Sequence, residues 1–298
     1  MRTSMRIYTS IAACLQFALN SVKMRPSFYA IMPKEPEMSR IHVPNICPDF
    51  NGFNALSNIA RAVYTIPKRE VTIDINTCSY FDGSMASVLF AALNGHTNTA
   101  VFTSTRDAEW RLDFGQRIQF PPFPTETMFT LRQFDGDDAR SFNAYVWDII
   151  HTIEPAKMTI AHLTDFKKSL FEIMVNACQH SQSPRGFCCC TQHCPREKKI
   201  RVSVSDVGIG IKENVRRFGQ KEIADASAIE WAVKFGNSTK LKRSGGFGLD
   251  IVRNFISLNR GRFYVVSGKC FYSVTPETFS MDLDNELPGT TIHMEINT

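Results

Sequence analysis

Hydrophobic and polar residues in the N-terminal half of the chain follow two patterns, one typical of helices and one typical of strands. Residues 53–63 and 85–93 carry apolar side chains at helical spacing, whereas residues 71–76 alternate as a strand does. Asp82 or Ser84 caps the second helix. This strand–loop–helix order predicts a small α/β layer.

A break and a further helix separate the two halves of the chain. The proline-rich stretch at 121–124 disrupts regular structure. A helix follows, with Phe142, Tyr145 and Ile149 on one face. We interpret residues 121–160 as a linker with a helix, and we expect that helix to dock onto the following sheet or to form a dimer interface.

The predicted strand 199–206 has one apolar face, and Asp206 has the parity of that face. A carboxylate that points toward a core is costly without a hydrogen-bond donor. A buried ligand with a donor, such as the amino group of adenine, would satisfy it; the alternative is a strand that ends in an ordinary Asp-x-Gly turn. Gly208 and Gly210 follow at once, and they allow tight turning and close approach of the backbone to a flat ring.

The helix before this strand carries a polar stripe. Glu172, Asn176 and His180 follow one another at steps of four residues, so their side chains stack on one face. One interpretation is the solvent-facing stripe of an amphipathic helix. The other is a stripe that faces a nucleotide, where Asn or Glu oxygen atoms bind Mg²⁺ and Glu172 positions or deprotonates a water molecule.

Two later motifs are rich in glycine and small polar residues. Residues 244–249 open a helix, whose free N–H groups and positive dipole end form an anion site. A flexible hinge is the alternative, and both interpretations can hold together. Residues 289–291, Gly-Thr-Thr, precede a short final strand at 292–296.

In this order the four motifs resemble the N, G1, G2 and G3 boxes of the GHKL superfamily. That superfamily includes gyrase-type and MutL-type ATPases, the large heat-shock chaperone, sensor histidine kinases and anti-sigma-factor serine kinases. The resemblance covers about residues 155–298. It implies an α/β protein whose residues 161–298 form a Bergerat-type ATPase domain, an α+β two-layer sandwich, with ATP and Mg²⁺ as cofactors.

The resemblance also implies roles for individual residues. Asn176 would ligate Mg²⁺, Asp206 would bind the adenine amino group, and Glu172 occupies the position of the general base. Gly208 and Gly210 would floor the adenine pocket. The other nucleotide-binding positions that it implies are His180, Ser244, Gly245, Gly246, Phe247, Gly248, Leu249 and Thr291, the last of which would lie near Asp206.

Two segments indicate a particular branch of the superfamily. Residues 235–239 resemble the lid of the anti-sigma-type kinases. Residues 40–120 resemble a STAS domain, with Asp-Gly-Ser-Met at 82–85 where that family has Asp-Ser-Ser-Gly. Because the glycine and the methionine depart from the family pattern, the sequence favours a helix cap over a phospho-acceptor role for Ser84. Residues 1–39 remain as a leader.

Composition excludes several other classes of protein. The 298 residues carry a formal charge of +5, from 34 basic and 29 acidic side chains, which is too small a bias to indicate nucleic acid. No apolar run approaches the roughly twenty residues of a membrane span, so we expect a cytoplasmic protein. The nine cysteines fit free thiols, and no P-loop motif occurs.

The sequence therefore predicts a protein that binds Mg-ATP and either hydrolyses it or passes its γ-phosphate to a serine of a STAS-like partner protein. The alternative is a regulatory module without useful turnover, in which ATP switches a protein interface. Either form is compatible with a homodimer.

Overall fold

Two β-sheets organise the chain, one with three strands and one with five. The structure is a computed structural model. It describes residue 136 and residues 40–66, 70–74, 78–94, 99–103, 128–134, 139–152, 158–219, 222–234 and 248–298.

The smaller sheet is parallel, with the order β1–β2–β3. Its strands are β1 (Arg40–His42), β2 (Glu70–Asp74) and β3 (Thr99–Thr103). Parallel neighbours need a crossover connection. The helices α1 (Phe50–Thr65) and α2 (Ala86–Asn94) lie within these two connections. The strand–loop–helix order predicted for this half is thus present, and we call its described residues between 40 and 103 the N-terminal unit.

Side-chain caps start both helical segments of this unit. Asp49 precedes α1 and its Oδ1 accepts the Gly52 N–H at 3.0 Å. Asp82 precedes a 3₁₀ turn, Gly83–Met85, that leads into α2, and its Oδ1 accepts the Ser84 N–H at 3.1 Å. Of the two caps that the sequence allowed for the second helix, the structure uses Asp82.

The larger sheet is antiparallel throughout, with the order β4–β5–β6–β8–β7. Its strands are β4 (Met128–Phe134), β5 (Phe187–Cys194), β6 (Lys199–Asp206), β7 (Arg262–Thr275) and β8 (Phe279–Asn297). The strand β8 therefore follows β7 along the chain but lies between β6 and β7 in space.

Five helices belong with the larger sheet, and their apolar side chains share one core with one of its faces. They are α3 (Ala139–Thr152), α4 (Ile160–Ser181), α5 (Gly210–Arg217), α6 (Asp225–Val233) and α7 (Gly248–Leu258). The sheet residues of this core come mainly from alternate positions of the strands, as a pleated sheet requires.

The segment 121–160, predicted to be a linker with a helix, contributes to this layer. Its described part holds β4, the edge strand paired with β5, and the helix α3. The α3 side chains Phe142, Tyr145 and Ile149 are buried against the sheet, which is the docking that the sequence allowed. The described part of 121–160 therefore belongs to the larger sheet and its helices.

The opposite face of the larger sheet is covered by the N-terminal unit. A second core joins α1 and α2 to sheet residues that include Tyr264, Val266 and Phe271. Along β6 the two cores alternate: Val202 and Val204 face the helices α3–α7, whereas Ser203 is fully buried and its backbone carbonyl accepts a bond from α2. The N-terminal unit and the helices α3–α7 thus pack on opposite faces of the larger sheet.

The adjacent cysteines of β5 follow the same alternation. Cys189 lies in the core with α3–α7 and Cys190 in the core with the N-terminal unit. All eight cysteines in the described part of the chain are free thiols. Among the residues that the structure places, no helix combines the length and apolar character needed to cross a membrane.

A buried ion-pair network connects the N-terminal unit to the sheet. The Arg201 guanidinium donates to Asp82 Oδ2 at 2.9 Å and to Glu295 Oε2 at 2.8 Å, and it also pairs with Glu197. The side chains of Arg201 and Asp82 are 8% and 0% exposed. A buried charge is tolerated only when it is paired and hydrogen-bonded, so Asp82 depends on Arg201.

Arg201→Met would leave the Asp82 carboxylate buried without its cation. Glu295 would be affected less, because it retains Lys199 at 2.7 Å. We expect the free energy of unfolding to fall by about 3–5 kcal/mol, the usual result of removing one partner of a buried pair. Equilibrium unfolding in urea measures this change.

Lys168→Met is the matched control, because it breaks an exposed pair with Asp165 at 3.8 Å. It should change the free energy of unfolding by less than about 1 kcal/mol. Equal, small losses in both variants would show that the Arg201–Asp82 pair does not stabilise the contact between the N-terminal unit and the sheet.

Candidate functional site

The Asp206 carboxylate lies at the end of β6, on the face of the sheet that carries α3–α7. It is 3% exposed, and it shares the parity of Val202 and Val204, as the sequence predicted. Asp206 Oδ1 accepts the N–H of Gly208 at 2.8 Å and the N–H of Thr290 at 3.3 Å. Within the described residues no donor reaches Oδ2, so one oxygen of this carboxylate remains available to a ligand.

Burial dominates the titration of this carboxyl group. It raises the pKa of Asp206 to about 7, against the smaller opposing effect of the Gly208 and Thr290 N–H groups. A ligand donor at Oδ2 would favour the charged form and lower the pKa again. The site is therefore suited to a neutral or cationic donor group such as an amine.

The glycines around Asp206 are required by the protein's own backbone. A Cβ on Gly208 would lie 1.8 Å from the Ser181 carbonyl oxygen, at the end of α4. Gly289 has a φ of +69°, and a Cβ there would lie 2.2 Å from the Asp206 carbonyl oxygen. The loop after β6 therefore lies so close to α4 and β8 that neither position has room for a side chain. The predicted role of Gly208 and Gly210 beneath an adenine ring stays a prediction.

Two polar side chains hold this loop and the start of α5. Asn214 Nδ2 donates to the His180 carbonyl at 2.8 Å and to the Gly210 carbonyl at 2.9 Å. Ser267 Oγ accepts the Ile211 N–H at 2.9 Å and donates to the Gly289 carbonyl at 3.0 Å. Neither residue was predicted from the sequence, because nothing in the local pattern shows that β7 and α5 meet at this loop.

The polar stripe on α4 lies on the same side of the sheet as Asp206. Glu172, Asn176 and His180 are half-buried, while Ile173 and Met174 fill the core shared with β6. In the part of the chain that the structure describes, the Glu172 and Asn176 side chains make no hydrogen bond or ion pair. The stripe is thus neither fully exposed nor fully packed.

The structure places Thr291 differently from the expectation. Thr291 is paired with Ser205 across the β6–β8 ladder, and its hydroxyl donates to Ser205 Oγ at 2.9 Å, on the face covered by the N-terminal unit. Thr290 provides the N–H that contacts Asp206. Thr290, one position earlier, thus contacts the carboxylate through its backbone, and the predicted role of Thr291 at a nucleotide stays a prediction.

The glycine-rich motif is only partly within the described residues. Ser244, Gly245, Gly246 and Phe247 lie outside them. Gly248 begins α7, and Leu249 packs against the core shared with α4. The motif thus does precede a helix, and that helix packs on the one carrying Glu172 and Asn176.

A groove of about 870 Å³ lies between α1, α5 and the β7–β8 pair. Its walls include the backbone of Gly208, Gly210 and Gly289. Neither Asp206 nor Asn176 lines it. The groove therefore borders the glycine loop from the side of the N-terminal unit and is distinct from the Asp206 carboxylate.

Comparison with known families agrees with this geometry. Residues 162–297 match the family model described as histidine kinase-, DNA gyrase B-, and HSP90-like ATPase. No curated protein matches the chain. The matched segment runs from α4 to β8, so it contains Glu172, Asn176, Asp206 and the glycine motifs.

Residues 162–297 are thus a histidine-kinase-like ATPase domain of the GHKL type, and this family implies ATP binding. Mixed helices on an antiparallel sheet are consistent with the predicted Bergerat-type fold. The N-terminal unit, β4 and α3 lie outside the match.

The raised pKa of Asp206 gives stability a pH dependence of known sign. The pKa of Asp206 rises from 3.8 to about 7 on folding, so the folded chain holds this proton more tightly. The protonated Asp206 therefore adds to the free energy of unfolding at low pH, and this contribution is lost as the pH rises through about 7. In Asp206→Asn this loss is absent. The free energy of unfolding of the variant minus that of the wild type should therefore grow by roughly 2–4 kcal/mol from pH 4 to 7.

Urea unfolding across this pH range, without nucleotide, measures the difference. Asp282→Asn, at an exposed position of β8, is the control and should show a flat difference. A flat difference for Asp206→Asn as well would mean that Asp206 titrates in the folded protein as an ordinary carboxyl group.

Proposed function

We propose that this protein binds Mg-ATP at the site formed by α4, the end of β6 and Thr290 of β8, and that it cleaves the γ-phosphate bond. The observation that carries the proposal is the buried Asp206 carboxylate, which has a free Oδ2 oxygen and a raised pKa. Oδ2 lacks a hydrogen-bond donor among the described residues, and the amino group of adenine is a small, uncharged donor that could fill this place.

The α4 stripe supports the placement of Mg²⁺ and the phosphates. Asn176 offers an amide oxygen and Glu172 a carboxylate, and neither side chain is engaged elsewhere among the described residues. Hard oxygen ligands of this kind suit Mg²⁺, which retains water and completes its shell with phosphate oxygens. When bound, the ion would neutralise charge that develops on the phosphates.

Glu172 is the proposed general base. A half-buried carboxylate can orient the attacking hydroxyl or water and take its proton as the bond to phosphorus forms. The γ-phosphoryl group then passes to that oxygen, and ADP leaves. Phosphoryl transfer depends mainly on positioning and charge neutralisation, so the proposal needs only one general base from the protein.

The phosphate acceptor is proposed to be water or a serine of a separate STAS-like protein. Ser84, the serine at the corresponding place in this chain, is fully buried, and its hydroxyl donates to Asp82. The Ser84 N–H also donates to Asp82 and to Gln192 of β5. A kinase cannot reach this hydroxyl while the N-terminal unit covers the sheet.

One observation favours a second function, an ATP-gated switch without useful turnover. The N-terminal unit packs directly on β6 and β8, the strands that carry Asp206 and Thr290. A change at the nucleotide site would therefore reach this covering unit directly through these strands. Turnover separates the two functions, because a switch needs binding alone.

Glu172→Gln tests the catalytic proposal. The variant keeps the size of the side chain but cannot accept a proton, so we expect turnover to fall by about 10²-fold or more while ATP still binds. The assay follows ATP labelled on its γ-phosphate, measuring both free phosphate and protein-bound label, with and without an added STAS-domain protein.

Asp165→Asn is the control, because Asp165 is an exposed carboxylate of the same helix. It should keep full turnover. Wild-type protein that binds ATP but releases no phosphate and labels no protein would reject the enzyme and leave the switch. Protein that does not bind ATP would reject both.

A further inference from the structure

Three buried hydroxyl groups form a continuous series of hydrogen bonds that links α2 to the end of β6 and to Thr291 within β8. Ser87 Oγ donates to the Ser203 carbonyl at 3.1 Å. Ser205 Oγ donates to Ser87 Oγ at 3.2 Å, and Thr291 Oγ1 donates to Ser205 Oγ at 2.9 Å. All four residues are at most 2% exposed, so the chain is shielded from water.

The direction of this chain is fixed from its Ser203 end. A carbonyl oxygen can only accept, and each hydroxyl has one hydrogen to donate. Ser87 therefore gives its hydrogen to the carbonyl, and its oxygen accepts from Ser205. The Ser205 oxygen accepts in turn from Thr291. Such a chain polarises its members and holds them in one arrangement.

Both strand residues of the chain adjoin the candidate site. Ser205 immediately precedes Asp206, and Thr291 immediately follows Thr290, whose N–H contacts the Asp206 carboxylate. Ser205 and Thr291 are also direct partners in the β6–β8 ladder. The hydrogen-bonded hydroxyl groups lie on the face covered by the N-terminal unit. They fix the backbone of β6 and β8 next to Asp206 and Thr290, which meet on the face that carries α3–α7.

We infer that Ser87 is a positioning residue for the nucleotide site, acting through Ser205 and Thr291. The inference rests on the proposed function. Ser87 lies in the N-terminal unit, outside the matched segment 162–297, and 118 positions before Ser205. Coupling between two binding events is reciprocal, so docking of α2 raises the affinity for ATP and ATP tightens the docking of α2.

Ser87→Ala removes the acceptor of the Ser205 hydroxyl, so the Ser205 and Thr291 hydroxyl groups lose their link to α2. We expect the Kd for Mg-ATP to rise about three- to tenfold, as the loss of one buried hydrogen bond implies. Titration calorimetry on the full chain measures the Kd, and thermal unfolding verifies that the variant is folded. An unchanged Kd in folded Ser87→Ala would overturn the inference.

Ser57→Ala is the matched control. It removes another fully buried serine hydroxyl of the N-terminal unit, one that donates to the Asn54 carbonyl within α1. Its Kd should stay within about twofold of the wild-type value. An increase equal to that of Ser87→Ala would attribute the effect to general loosening of the unit and would overturn the inference.

Amide hydrogen exchange in the wild-type protein tests the reciprocal effect, and it decides the matter if Ser87→Ala does not fold. Mg-ATP should slow exchange in α2, and this protection should vanish in Asp206→Asn. Bound ATP with unchanged exchange in α2 would overturn the inference and leave the proposed function intact. Wild-type protein that binds no ATP would instead contradict the proposed function itself.

Discussion

The burial of both faces of β6 is the constraint on which the rest of this structure depends. A strand with one wet face can place polar side chains there without cost, but β6 has no wet face. Every polar residue on it therefore needs a partner. Arg201 obtains three, from Asp82, Glu295 and Glu197, and Ser205 obtains two, from Ser87 and Thr291. Asp206 obtains partners for one oxygen only.

The polar residues of β6 therefore differ in role according to the face of the sheet on which they lie. On the face toward the N-terminal unit, the polar groups of β6 bond to protein and tie two layers together. On the opposite face, the last residue of the strand keeps an oxygen without a protein donor among the described residues. The same physical cost that makes Arg201 structural makes Asp206 a candidate for ligand binding.

Much of the front of the site was predictable from local pattern. The parity of Asp206, the glycines after it and the stripe on α4 depend on spacing within one element, and spacing is present in the sequence. The pairing of Asn214 with His180, and of Ser267 with Gly289, depends on which elements meet, so no local pattern contains it. The placement of the Thr291 side chain opposite Ser205 is hidden for a related reason, since it depends on the register between β8 and β6.

The contacts between distant segments of the chain were less predictable than the individual helices and strands. A helix with Phe142, Tyr145 and Ile149 on one face was expected and is present as α3, but the pairing of β4 with β5 is a contact across more than fifty residues. The close packing of the N-terminal unit was equally hidden, because its polar contacts, such as Ser84 with Gln192, join residues 108 positions apart. Hydrophobic periodicity shows that a face is buried and does not show against what.

The position of β8 in the sheet has a consequence for the nascent chain. This strand is the last element along the described chain, yet it lies inside the sheet, between β6 and β7. Until the β7–β8 hairpin has been synthesised, β6 is an open edge with unpaired backbone groups, and such edges attract other strands. Gly289 and Thr290 arrive with the same hairpin. Synthesis of this one hairpin therefore both completes the candidate site and pairs the open edge of β6.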